Sequence, residues 1–165
     1  MIFIYLLHSK LSKTDLAKII SIKQKHWNYS SKEHENWIRN NIINDDIHVM
    51  MLENEILFGY MNLVNVEVII NKQKNIFLGI GNVCSLIQGN GYGKKLLLDV
   101  QEFIINNDFK GILFCNDKMV SFYKKYNWNL IDHNVVKSKN IKKTNIMTFN
   151  FKNNISCFEY NDRIF

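Results

Sequence analysis

The chain opens on an apolar run, Met1 to His8, which reads as a strand. The period then becomes helical. In "SKTDLAKIISIKQKHW" Leu16, Ile19, Ile20 and Lys23 follow at helical spacing, and Ser12 or Thr14 stands where an N-cap belongs. In "NYSSKEHENWIRNNI" Ser30 and Glu33 have capping-box spacing, and Trp37, Ile38 and Ile42 form a stripe expected to be buried. These are two helices.

The period changes again after residue 46. "IHVMML", "ILFGYMNLVNVEVII" and "IFLGIGNVCSLI" read as three strands of an antiparallel meander, joined by the turns "ENE" and "NKQKN". "KKLLLDVQEFIINN" is helical, with Leu97, Val100 and Ile104 on one face. "GILFC" is short and wholly apolar, as a strand covered on both faces would be. "DKMVSFYKKYN" is a helix ending at Asn127, a residue that tolerates the left-handed conformation. "WNLIDHNVV" and "TNIMTFNF" read as a last hairpin around a lysine-rich loop. The order β–α–α–β–β–β–α–β–α–β–β predicts an α/β domain with a mixed sheet. The strand before the helix at 94–107 and "GILFC" should be parallel neighbours joined by a right-handed crossover. No linker or repeat interrupts the chain. The expectation is one domain over 1–150, with 151–165 as an edge strand or a disordered tail.

Composition narrows the class. Of 165 residues, 47% are hydrophobic, enough for a core. No apolar stretch reaches the roughly 18–20 residues of a membrane span, and the first strand lacks the flanks of a signal peptide. Lys and Arg outnumber Asp and Glu by 21 to 15, a net charge of +6. The basic residues are scattered and not interleaved with aromatics, which argues against a nucleic-acid module. The one local run, "KSKNIKK" at 137–143, reads as a solvated loop, or as a partner for a polyanion such as a cofactor's phosphates. Cys84, Cys115 and Cys157 are far apart and the histidines lack companions at ligand spacing. The expectation is a reduced, cytoplasmic protein without a structural metal.

Glycine is the informative residue. The chain has 7 glycines and no proline, yet Gly89, Gly91 and Gly93 fall together in "SLIQGNGYGKK", with Gly79 and Gly81 just upstream. A strand, a glycine-rich turn and a helix start form an anion site: the first helical turn has free N–H groups, and glycines let a ligand approach the backbone. A simple turn needs fewer glycines. The dinucleotide fingerprint does not fit, because the glycine after Gly91 comes two residues on rather than three. The nucleotide-hydrolase loop fails at Gln88 and at the Leu after Lys95.

"QGNGYG", Gln88 to Gly93, resembles the Gln/Arg-x-x-Gly-x-Gly/Ala loop of the GNAT acetyltransferase superfamily. "CNDKMVSFYKKYNW", 115–128, is similar to that family's downstream Asn…Phe-Tyr-x-x-x-Gly-Phe segment, with Asn127 and Trp128 in place of Gly-Phe. With the element order, the resemblance covers the chain to about residue 150. It implies a GNAT-like, mostly antiparallel sheet with a splayed parallel strand pair at the cofactor site, and acetyl-coenzyme A as co-substrate. Gln88, Gly89, Asn90, Gly91, Tyr92, Gly93 and Lys94 would hold its pyrophosphate. A backbone N–H near Val83 and Cys84 would polarise the thioester, and Asn116 would either cap its helix or reach the pantetheine arm. Tyr123 would protonate the leaving thiolate, the alternative being a core aromatic. A glutamate base found in many members falls here at about Gly111, so that role does not transfer. His48, Glu53, Glu67, His26 and Glu35 are titratable candidates, and a water chain is another. In the connection 25–30, His26, Trp27 and Tyr29 border the expected acceptor pocket, and their apolar planes with polar edges suit a small molecule such as an amino sugar. The expected function is N-acetylation of a small-molecule amine. Peptide acetylation and a non-catalytic acetyl-coenzyme A sensor are the alternatives. A homodimer is compatible with this reading.

Overall fold

The computed structural model describes residues 1–165 apart from Lys139, Asn140, Lys142, Lys143 and Ile164. The lysine-rich loop expected at 137–143 therefore lies largely outside the described residues. The chain forms β1 (Ile2–Leu7), α1 (Lys13–Lys23), α2 (Ser31–Asn41), β2 (Ile47–Glu53), β3 (Ile56–Ile70) and β4 (Gln73–Ser85). It continues with α3 (Tyr92–Asn106), β5 (Gly111–Cys115), α4 (Asp117–Lys124), β6 (Asn129–Leu130), β7 (Asn145–Phe149) and β8 (Phe158–Glu159). The strand order is β1-β2-β3-β4-β5-β7-β6, with β8 paired to β3. The sheet is mixed and mostly antiparallel. Its parallel pair is β4 with β5, Leu78–Ile80 against Gly111–Leu113, as the crossover argument requires.

Contacts divide the chain into two compact units: Met1–Val64, Gly81–Val100 and Phe165 form one, and Asn65–Ile80 with Gln101–Ile164 form the other. In the first, β1 runs antiparallel to β2, and β2 to β3. Ile19, Ile38, Met51, Leu63, Leu96 and Val100 are buried there. Ser12 caps α1 by accepting from the Asp15 N–H. Ser30 and Glu33 close the expected capping box on α2. Each cap satisfies helix-end donors that would otherwise lack partners, worth about 1 kcal/mol apiece.

In the second unit, β7 lies between β5 and β6, antiparallel to both. Phe77, Ile104, Ile112, Trp128 and Met147 are buried there. A Cβ on Gly111 would lie 2.9 Å from the Trp128 ring, so this strand end admits no side chain. The tail supplies an edge strand: β8 pairs with Ile69 and Ile70 of β3.

Three elements differ from the sequence reading. β4 begins at Gln73, not Ile76, because the turn before it closes on Asn71 and Lys72 alone, both at positive φ. Two-residue turns of that kind match the twist of the strands they join. The expected strand over 128–136 is only Asn129–Leu130. Asp132 accepts from the Asn134 N–H and starts a short 3-10 turn instead. Trp37, expected in the buried stripe with Ile38 and Ile42, is half-buried.

Candidate functional site

The glycine turn lies between β4 and α3, within the first unit. Gly89 and Gly91 have φ of +81° and +75°, a region open to glycine and costly for other residues. Gly93 is different. Its φ is ordinary, it sits inside α3, and a Cβ there would meet nothing within 4 Å. Neither backbone nor packing asks for glycine at 93. What a missing Cβ provides there is close approach to the first turn of α3, whose N–H groups lack helical partners. Gln88, Asn90 and Lys94 are exposed around that turn, while the Tyr92 ring packs on Phe58 at 5.0 Å.

His26 is turned toward this turn. Its Nε2 lies 2.6 Å from the Ser85 carbonyl, and its Nδ1 3.3 Å from Gln88 Nε2. It thus bridges the α1–α2 connection to the end of β4 and to the first residue of the loop. Val83 is half-buried and Cys84 buried. Burial pushes the Cys84 thiol up to about 12, against thiolate chemistry at this position. All three cysteines are free thiols.

Beside it lies a cavity of about 460 Å³, also within the first unit. Trp27 and Tyr29 line it, as the sequence suggested; His26 is not among its lining residues. Lys23, Glu33, His34, Trp37, Asn82 and Phe165 complete the wall; sequence reasoning gave Lys23, Glu33 and Trp37 only helix-building roles and assigned none of the six to a site. Lys23 is 3% exposed. Its ammonium donates to Asn82 Oδ1 at 2.8 Å and sits 4.2 Å from the centre of the Trp37 ring. Burial pushes it down from 10.5 to about 8. Asn82 occupies a left-handed kink in β4, φ +53°, and its Nδ2 donates to Asn62 Oδ1 at 2.6 Å. The kink thus aims an amide oxygen at Lys23. Phe165 reaches this place because residue 81 is glycine: a Cβ there would lie 2.5 Å from the Phe165 carbonyl carbon. His34 is buried, with Nε2 3.3 Å from the Trp27 carbonyl. Burial holds its imidazole below the usual range, so it is neutral at pH 7.

The other titratable candidates are engaged elsewhere. Glu53 lies 3.7 Å from the Met1 amino group, Glu35 pairs with Arg39, and Glu67 with Lys74. His48 is fully buried, between His8 at 2.9 Å and the Tyr60 hydroxyl at 2.8 Å. Burial lowers it from 6.5 to about 4, with repulsion from His8 and Lys23 adding and Asp46 opposing. The unfolded chain takes up this proton near pH 6.5 and the native chain only near 4. The stabilisation is therefore full above about 6.5 and is lost as pH falls toward 4, by about 3 kcal/mol. Urea midpoints measured over that range should fall steeply, and His48→Gln should flatten the slope. An equally steep slope in that variant would place the acid sensitivity elsewhere.

The second unit carries Asn116 and Tyr123. Asn116 is the N-cap residue of α4, but its side chain makes no cap hydrogen bond and is exposed. Its amide is not committed to the bland role the sequence allowed. Tyr123 is 5% exposed, its ring edge-on to Phe122 and Trp128. Burial, then Cys115, pushes its phenol well above 10, so it stays protonated across the physiological range.

No His, Cys, Asp or Glu grouping among the described residues has the makeup of a metal site, and no helix there is long and apolar enough to cross a membrane. No family model matches the sequence. No curated protein matches it either. Solved structures do share the fold. An acyl-CoA N-acyltransferase from Pseudomonas aeruginosa is similar at a TM-score of 0.63 and 14% identity, over 90% of this chain and 98% of that one. A GNAT family acetyltransferase from Brucella melitensis, in complex with acetyl-CoA, is similar at 0.60 and 16%, over 97% and 96%. An aminoglycoside 6'-N-acetyltransferase complexed with coenzyme A is similar at 0.59 and 11%, over 90% and 94%. Identities this low speak to the fold.

Proposed function

We propose that this chain, which has the fold of the GNAT acetyltransferases, moves an acetyl group from acetyl-coenzyme A to the amine of a small molecule. The observation that carries the reading is Gly93, a glycine inside a helix that neither the backbone nor the core requires. An anionic ligand lying against the start of α3 does require it. Gln88 to Lys94 would receive the pyrophosphate. A backbone N–H near Val83 and Cys84 would polarise the thioester carbonyl. Tyr123, permanently protonated, would give its proton to the departing thiolate. His34 contributes a neutral imidazole to the cavity, and a neutral imidazole accepts the proton an attacking amine must lose. Three free thiols fit a reducing compartment such as the cytoplasm.

The cavity favours a small acceptor over a peptide. About 460 Å³ is the size of a small-molecule pocket, walled here by three aromatic side chains of α2 and the connection before it. Similarity of fold to an aminoglycoside acetyltransferase is consistent with an amino sugar as one such acceptor. The test is free-thiol release from acetyl-coenzyme A with a panel of amines and peptides. Release with a small amine is the expected result, and Trp27→Ala should raise that amine's KM about ten-fold, with coenzyme A affinity nearly unchanged. Turnover of peptides alone, or a destabilised Trp27→Ala with a normal acceptor KM, would overturn the acceptor assignment.

A further inference from the structure

We infer that His26 is a positioning residue for coenzyme A: it fixes the end of β4 and the Gln88 amide along the track of the cofactor's arm, rather than touching the acceptor. The inference rests on the acetyltransferase reading above and deepens it. That reading sets the thioester near Val83 and Cys84 and the pyrophosphate on Gln88 to Lys94. The arm between them then passes Ser85 to Ile87. His26 meets this stretch at both ends, through Ser85 and through Gln88. Ile87, in between, is exposed and offers the arm an apolar surface.

The imidazole does here what a neighbouring strand would do. Leu86 donates its N–H to the Phe58 carbonyl of β3, so Ser85, one residue earlier, turns its backbone groups to the other side. There Nε2 of His26 lies 2.6 Å from the Ser85 carbonyl oxygen and 3.2 Å from the Ser85 nitrogen. The shorter distance assigns the proton to Nε2, which donates to the carbonyl. Nδ1 is then bare and accepts from Gln88 Nε2 at 3.3 Å. One tautomer serves both contacts. It also fixes which end of the Gln88 amide faces the ring, and leaves that nitrogen a second N–H for an anion. The ring is held in turn by the end of α1. The N–H groups of His26 and Trp27 both donate to the Lys23 carbonyl, and the Trp27 ring lies 5.7 Å from that of His26. The cavity, by contrast, is lined without His26.

The test is calorimetric titration of coenzyme A into the full chain and its variants. His26→Ala should bind it about ten-fold more weakly with the melting temperature kept, since a donor no longer aimed at a phosphate loses most of the worth of that bond. His26→Gln, whose amide has a donor for Ser85 and an acceptor for Gln88, should recover most of the affinity. Gln88→Ala and His26→Ala together should weaken binding by less than the product of the two single losses, because the two residues act through one contact. Should His26→Ala fail to fold, the native chain carries the test in NMR spectra of nitrogen-labelled histidine. The His26 ring nitrogens, assigned with His26→Gln, should shift when coenzyme A is added. Native affinity in His26→Ala, losses that simply multiply, or unmoved His26 resonances would overturn the inference. A raised amine KM as the only effect of His26→Ala would overturn it too, by making His26 an acceptor contact, and would keep the acetyltransferase. His26-dependent binding of coenzyme A without thiol release from any amine does the reverse.

Discussion

Tyr123→Phe should lower kcat by about 10²–10⁴-fold, the usual worth of one general acid, and leave coenzyme A affinity unchanged. The substitution keeps the ring that packs edge-on to Phe122 at 5.2 Å and to Trp128 at 6.1 Å, so the fold should hold. The loss should also be the same from acid to mildly alkaline pH. Burial holds the phenol protonated throughout, so there is no limb of the pH profile for the mutation to remove. Steady-state kinetics at saturating amine, with melting temperatures alongside, decide it. A variant that matches the native rate would reduce Tyr123 to a core aromatic.

The second large effect belongs to the glycine turn. Gly91→Val should weaken coenzyme A binding about 100-fold or more, since two charge-assisted hydrogen bonds to phosphate are worth that much. A Cβ at Gly91 meets no protein atom within 4 Å, so the core is not disturbed. The positive φ does add strain, about 1–3 kcal/mol for a branched residue. Gly93→Ala removes that ambiguity: with ordinary φ and open space, it should keep its melting temperature and still lose affinity. Calorimetric titration of both variants with coenzyme A is the measurement. Native affinity in Gly91→Val would end the phosphate assignment.

What the sequence made legible was local in origin. The caps at Ser12 and Ser30 depend on residues three apart, and the two hairpins of the meander on the conformational tolerance of Asn54 and Asn71. The glycine turn announced itself because the chain is otherwise poor in glycine. The cavity was only half legible. Trp27 and Tyr29 stood out because no helical or strand period claimed them. Lys23 and His34 went unseen because each occupies a position that helical spacing assigns to the core. A pattern of apolar positions counts a lysine at such a place as a long aliphatic stem. Asn82 and Phe165 could not have been found that way at all. One depends on a kink inside a stretch that reads as one unbroken strand, the other on a chain segment returning to Gly81 from 84 residues away, a span that no local period reports (165 − 81).

Lys23 also bears on how the protein divides stability between its resting and its working state. An ammonium lowered from 10.5 to about 8 by burial weakens the native state by about 3 kcal/mol below pH 8, a penalty relieved only as pH rises toward 10.5. That is a sizeable part of the 5–15 kcal/mol, roughly, that separates a folded domain from its unfolded chain. Leucine or methionine at residue 23 would fill the same space without it, so the lysine is a place where the fold is less stable than its own architecture permits. Thermostability selection on this chain would remove that residue early, and with it the ammonium that Asn82 and the Trp37 ring hold in the cavity wall.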